Sequence, residues 1–547
     1  MDHTPEKSSN IRIFLFQKSA LAFFGFMAAC LFATTDAEAF VCKWIRLNSE
    51  HFEMFSSIPE RESRDMLVQL EQFRAAVSQT FFKSDTYEKK TRMFVFATRS
   101  QYQPYAQLYK GEPKALRGVF IPGPFESQVA YVYETFGYDL STIFHEYVHA
   151  LVAAHGLTPP TFFNEGLAMA YATFSASGDK VTLGKPDQES VAVLAHMNSL
   201  ISLTTLCRVT KSSPYYNEAD KYPYFYAESW LVMHYLIFGK KSESITSEGM
   251  SKFVDLLKDP KMSVNTAFKR ALGLSAQEVH DMLDEYRKKA HFMTKTLTIP
   301  AKPFRDKITS CPATEEECDI ELTNLQWKSR NDESCVAKMR LLADQNPANP
   351  RPYEILAAMA LKARQTDMET DYLRKAVANS TQNPLVYVWL LRQLYDKSNL
   401  PFDYIMPDDT CAEYRGYVDR ALELAPNCLE ALEMLAHVES QARDMRLEKI
   451  NLIPPAIGGM GDDLKAKALL SLGIVYYRLK DYKSAEMVLK RFDSMPKPQA
   501  AEKATADELR RRITYAAGKA SVVRIAEGSN PSYAIKPTEP TQTQTKP

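Results

Sequence analysis

His145-Glu146-Tyr147-Val148-His149 places two imidazoles four residues apart, with a carboxylate between them. Ile143-Phe144 precede the run, Ala150-Leu151-Val152 follow it, and no Pro or Gly interrupts it, so a helix is expected. On a helix, positions i and i+4 lie one above the other, which lets both rings reach one metal ion. Glu146 then projects beside that ion, where a carboxylate can take a proton from water. Two ligands are too few for a catalytic zinc, which takes three from protein and leaves one position open. Glu165, in Asn164-Glu165-Gly166-Leu167-Ala168, offers the third. It lies beyond a loop containing Gly156, Pro159 and Pro160 that would turn the chain back toward the first helix. Gly166 and Ala168 are small enough for a second helix to pack closely there. The chemistry of such a set is metal-assisted hydrolysis. The bland alternative is an amphipathic helix with a buried His and an exposed Glu, and the downstream Asn-Glu-Gly argues against it.

H-E-x-x-H followed by N-E-G-x-A resembles the gluzincin metallopeptidases, within the peptidase MA-like superfamily. The resemblance implies an α+β zincin-like peptidase domain with one zinc ion on His145, His149 and Glu165, and Glu146 as general base and proton shuttle. Tyr226-Ala227-Glu228-Ser229-Trp230 resembles a segment of these domains in which a Tyr opens an apolar helix behind the site. The Tyr226 phenol would there donate to the oxyanion of the tetrahedral intermediate; the alternative is packing, because Tyr222 and Tyr224 crowd beside it. The chain also departs from the family. Only 15 residues separate His149 from Glu165, a shorter gap than in the best-known members. The amine-anchoring G-x-M-E-N segment of the aminopeptidases is absent, and Glu126, after Pro124-Phe125, is its nearest substitute. No acidic residue stands four positions after Glu165, so the group that orients the imidazoles is open. His51, in Ser49-Glu50-His51-Phe52-Glu53, matches the opening of some secreted members and is read as part of the first strand. His155 and His234 are read as core or cleft-lining residues.

These side chains need a scaffold. Met66, Leu67, Leu70, Phe73 and Val77 share one face of a helix over 60–82. Met93–Phe96, Gly118–Ile121 and Val129–Tyr133 have strand character, and Pro122-Gly123-Pro124 between the last two predicts a hairpin. Helices follow at roughly 140–155, 165–175, 225–238 and 275–290, giving an α+β domain over 40–295 whose strands come first. The strand near Val129–Tyr133 is expected to be an exposed edge that pairs with an extended substrate. Prolines and the acidic run Glu315-Glu316-Glu317 mark 296–330 as a linker. Residues 331–520 are helical and resemble degenerate tetratricopeptide repeats. Asn349-Pro350 recurs 34 residues later as Asn383-Pro384, and Leu472, Gly473, Tyr476 and Ala485 stand at the spacing of that repeat. Such an array would offer a protein partner a concave surface; an unrelated helical bundle is the alternative. The Pro-, Thr- and Gln-rich tail at 521–547 is expected to be disordered.

The 547 residues are 45% hydrophobic, and 67 basic side chains balance 67 acidic ones, so no basic excess favours a nucleic-acid partner. Residues 1–39 run from charged to apolar to small, with Ala37-Glu38-Ala39 as a cleavage box, the order of a signal peptide. A signal anchor is the alternative, and the membrane is a partner only if the segment is kept. Either way export to the periplasm or outside is expected. Cys311 and Cys318 are close enough in sequence for a local disulfide, Cys207 and Cys428 read as buried apolar residues, and no C-x-x-C occurs. The function expected is therefore an exported zinc peptidase. Its rivals are an inactive metal-binding domain on a repeat scaffold that binds proteins, and a zinc hydrolase of non-peptide amides.

Overall fold

The computed structural model describes residues 44–81, 90–109, 111–113, 118–133, 139–154, 159–239, 247–257, 259, 261–396, 404–495 and 498–526. The leader expected at 1–39, His155 and residues 527–547 of the expected tail lie outside them; the first six residues of that tail, 521–526, are instead the end of the helix Ala500–Ala526. Among the described residues no helix is long and apolar enough to cross a membrane.

Alternating apolar residues give the early strands two faces to bury. Ile45–Asn48 (β1), Phe52–Ser56 (β2), Thr91–Phe96 (β3), Gly118–Ile121 (β6), Ser127–Val132 (β7) and Thr309–Pro312 (β11) form one sheet in the order β11-β1-β2-β3-β7-β6. The pairs β2–β3 and β3–β7 are parallel and the others antiparallel. Helix Glu60–Thr80 (α1) crosses from β2 to β3, with all five residues of the expected apolar stripe buried. Met54, Met93, Val95, Val129 and Tyr131 meet α1 and helix Ser141–Ala154 (α2) on one face of the sheet. Phe55, Phe94, Phe96, Val119, Ala130 and Val132 alternate with them and pack on the other face, against Tyr102 and Leu325. Short pairs complete the set: Leu108–Tyr109 (β4) with Glu112–Pro113 (β5), and Ser175–Ser177 (β8), Lys180–Leu183 (β9) and Lys295–Thr298 (β10) in a small sheet. The described part of the chain is thus mixed α+β before about residue 312 and helical after it.

Four expectations are corrected here. The hairpin forms, but its outer strand is β6: β7 is paired on both sides, so the edge strand on this side of the sheet, among the described residues, is Gly118–Ile121. Strands do not all come first, because β8 to β11 follow the central helices. The segment 296–330 is no linker. It supplies β11, which pairs with β1, and helix Glu315–Arg330 (α5), which carries Leu325 onto the second face of the sheet. The acidic run that reads as a solvated loop is the first turn of α5. Thr314 and Glu317 close a capping box there, and three carboxylates face the positive end of the helix dipole. Cys311 and Cys318 stand as free thiols, not a disulfide, while Cys207 and Cys428 are buried as expected.

The helical half is built from paired helices that begin and turn alike. Asn349 and Asn383 each accept a backbone N–H two residues on, from Arg351 and Leu385, ahead of the helices starting at Pro350 and Pro384. Helix Pro350–Lys362 ends with Arg364 at φ 57° and the bond Gln365 N–H to Ala360 O. Helix Asp462–Arg478 ends with Lys480 at φ 62° and Asp481 N–H to Tyr476 O. Both are the same left-handed closing turn. Gly473 makes its closest approach not to its partner helix but to Leu509 of the following one, where a Cβ would come within 2.7 Å.

A buried network of charges joins this half to the sheet. Arg92 on β3 donates to Glu53 on β2, to Glu126 at 2.5 Å and to Glu321 on α5 at 2.9 Å. Arg351 reaches Glu126 at 2.6 Å, Glu321 at 2.7 Å and Glu354 at 2.9 Å, and Lys328 reaches Glu126 at 3.1 Å. Beside it Phe125 packs edge-on against Trp389, 5.7 Å between centroids. Burial pushes Glu126 up, but Arg92 and Lys328 outweigh it and hold the carboxyl below its ordinary range. Glu126 is fully engaged here, so it is no amine anchor.

Candidate metal centre

Helix α2 buries Ile143, Phe144, Tyr147, Val148 and Leu151, and Phe144 and Tyr147 stack on Phe73 of α1. That choice of buried face leaves His145, Glu146 and His149 together on the half-buried side. The second helix, Thr161–Ala172 (α3), follows Pro160 and buries Glu165. It crosses helix Tyr222–Phe238 (α4) at Gly166, where a Cβ would lie 2.1 Å from the Ser229 carbonyl oxygen. This contact, backbone to backbone, sets how far Glu165 reaches. Gly166→Ala is accordingly expected to destabilise by about 1–3 kcal/mol by moving α3. Thermal melting checks this, and a wild-type midpoint would show that the crossing tolerates a Cβ.

The structure brings His145, His149 and Glu165 into one group, their ligand atoms all within 4.8 Å of one another. The two Nε2 atoms are 3.2 Å apart and lie 3.6 and 3.7 Å from Glu165 Oε2. Three ligands at zinc bond lengths and tetrahedral angles stand about 3.3 Å from one another. The residues therefore fit such an ion in number, chemistry and spacing. Burial, then the neighbouring His145, pushes His149 down to about 4, which keeps it the neutral imidazole that a metal requires. Burial acts to raise Glu165, yet the two histidines hold it below its ordinary value, ionised.

The far nitrogen of His149 bears on the question of orientation. His149 Nδ1 and Asn164 Oδ1 are both buried, and neither closes a hydrogen bond of good geometry. Asn164 is nonetheless the side chain that interacts with this imidazole. A proton on Nδ1 facing Asn164 leaves Nε2 free for the ion. Asn164 stands one residue before Glu165, and that adjacency was the only sign of it in the sequence.

Glu146 sits beside the group, and its Oε2 accepts the Phe120 N–H of edge strand β6 at 3.2 Å. Burial raises its carboxyl above the ordinary range, and His145 only partly offsets this. Tyr226 lies on α4 close to the charges of Glu165 and Glu146, and burial pushes its hydroxyl up. Its ring stands 6.1 Å from that of Tyr216, a residue with no sign in the sequence, whose hydroxyl lies 3.5 Å from Glu165 Oε1. His234 and His51 have structural partners. His234 bonds the Gly184 carbonyl at 2.8 Å and Tyr286 at 3.1 Å in the core, and His51 pairs with Glu71 at 2.7 Å.

Residues 139–255, which carry the whole cluster and α4, match the family described as Protein of unknown function (DUF1570). No curated protein matches the sequence. Among solved structures, the crystal structure of the yeast Tom70 aligns over 69% of this chain and 82% of that one, at 9% identity and a TM-score of 0.21. A likeness at that level decides nothing about fold or function.

Proposed function

We propose that this chain is an exported zinc-dependent peptidase in which His145, His149 and Glu165 hold one zinc ion and Glu146 is the general base. The observation that carries the reading is the convergence of two imidazoles and a carboxylate with a second, protonatable carboxylate beside them. Zinc held there supplies Lewis acidity and lowers the pKa of water to about 7. Glu146, its proton affinity raised toward neutral pH, takes the proton of the attacking water and delivers it to the leaving amine nitrogen. The Phe120 N–H keeps Glu146 Oε2 in place and leaves Oε1 for that exchange. Tyr226 donates to the oxygen on which charge develops. A peptide suits the site better than a small amide, because β6 is the outer strand of the sheet among the described residues, and its backbone groups other than the Phe120 N–H can pair with an extended chain.

The helical half we read as tetratricopeptide-like, a surface for a protein partner or for recruiting substrate. The 34-residue recurrence of the Asn-Pro start and the repeated left-handed turn support that. Export rests on the charged, apolar and small order of residues 1–39. Metal analysis of the purified protein is expected to return about one equivalent of zinc per chain. Less than about half an equivalent in a folded sample sinks the metal reading.

A further inference from the structure

We propose that Tyr216 is a positioning residue that ties Tyr226 to the metal ligand Glu165. The inference rests on the zinc reading above and extends it to a side chain that has no place in the reaction as described. Tyr216 stands on the short helix Pro214–Asn217, with its hydroxyl 3.5 Å from Glu165 Oε1. That is the carboxylate oxygen opposite to Oε2, which faces both imidazoles. A carboxylate only accepts, so the single Tyr216 proton points to Glu165. Its oxygen is then left to accept from the hydroxyl of the neighbouring Tyr226, whose ring stands 6.1 Å from that of Tyr216. The direction of the chain follows: Tyr226 to Tyr216 to Glu165.

Two consequences follow from that direction. With Oε1 occupied, Glu165 offers the ion a single oxygen, as a three-ligand site with an open position requires. With its proton on Tyr216, Tyr226 is not free to donate elsewhere until that bond opens, so Tyr216 sets the readiness of the oxyanion donor. The placement is braced. Asn217 Nδ2 donates to the Lys211 and Ser213 carbonyls at 2.8 and 2.9 Å, the Thr210 N–H reaches Ser213 Oγ at 2.9 Å, and the Tyr216 ring packs edge-on against Phe225. Packing alone would need the ring and not the hydroxyl.

The test uses the full-length chain, zinc alone as probe, and the substitutions Tyr216→Phe and Tyr226→Phe. In chelator competition Tyr216→Phe is expected to weaken zinc retention by about 10–100-fold, the usual cost of losing a partner behind a metal ligand. Tyr226→Phe leaves retention unchanged, because the bond from Tyr216 to Glu165 survives it. With cobalt in place of zinc, the visible spectrum of Tyr216→Phe shifts as the freed Oε1 enters the coordination sphere, while that of Tyr226→Phe does not. Thermal melting of each variant separates a metal effect from lost folding. Wild-type retention and a wild-type cobalt spectrum in a folded Tyr216→Phe overturn the proposal and leave the zinc reading standing. A wild-type chain that takes up no zinc overturns both.

Discussion

Glu146→Gln is expected to lower cleavage of a peptide library by about 10²–10⁴-fold while zinc content stays at the wild-type level. The amide has the shape of the carboxylate and can still accept the Phe120 N–H, so the local geometry is kept. What it cannot do is take up a proton. The three atoms proposed to hold the zinc belong to other residues, so its binding would be untouched. Mass spectrometry of the digests, alongside zinc analysis of both proteins, reads the two quantities separately. Equal cleavage by both would remove Glu146 from the reaction. Cleavage by neither, with zinc bound, would favour a metal-holding scaffold that binds a partner. The wild-type pH profile adds a second check. Because burial raises the Glu146 carboxyl, the base is lost to protonation as pH falls through a value above the ordinary carboxylate range. The acid limb of kcat/KM should therefore lie higher than an exposed Glu would put it.

Arg92→Met should have the largest effect on stability. Arg92 is the common donor to Glu53, Glu126 and Glu321, all within the seam between sheet and helices. Removing it leaves buried carboxylates facing one another, and breaking a buried pair in this way costs about 3–5 kcal/mol. For a chain of this size that corresponds to a drop in the thermal midpoint of about 3–5 °C. A suitable control is Lys302→Met, which breaks an ion pair with Asp306 between side chains 83% and 58% exposed. Water screens such a pair, so its midpoint should hardly move. If both variants melt alike, the buried network contributes no more than a surface contact.

How much of this was legible beforehand depends on the range over which each feature is decided. His145, Glu146 and His149 could be placed on one face because helical spacing is local, and Glu165 because its helix starts just beyond a short Pro-containing loop. The apolar stripe of α1 and the hairpin were legible for the same reason. The edge strand was not, since strand order is settled by long-range pairing, and β6 rather than β7 took the outside. Glu126 was misread because its partners Lys328 and Arg351 lie some 200 residues further along. Tyr216 was invisible in a Tyr-rich stretch, where only the landing of its loop beside Glu165 distinguishes it from Tyr215. The acidic run at 315–317 showed the opposite failure. Its capping pattern is present in Thr314 and Glu317, while the prolines and the charge density read as a linker.

The turn between β6 and β7 carries Phe125 and Glu126, and both are held among helices that belong to the second half of the chain. The same hairpin ends in the strand whose Phe120 N–H holds Glu146. The two halves are consequently not severable. A cut at residue 295 removes β11 from the end of the sheet, uncovers Phe94, Phe96 and Val132, and strips Glu126 of Lys328 and Arg351. The unit that could be inherited, shuffled or expressed by itself is not the α+β half. It extends at least through the first helices of the array, and any boundary drawn from the motif alone falls inside it.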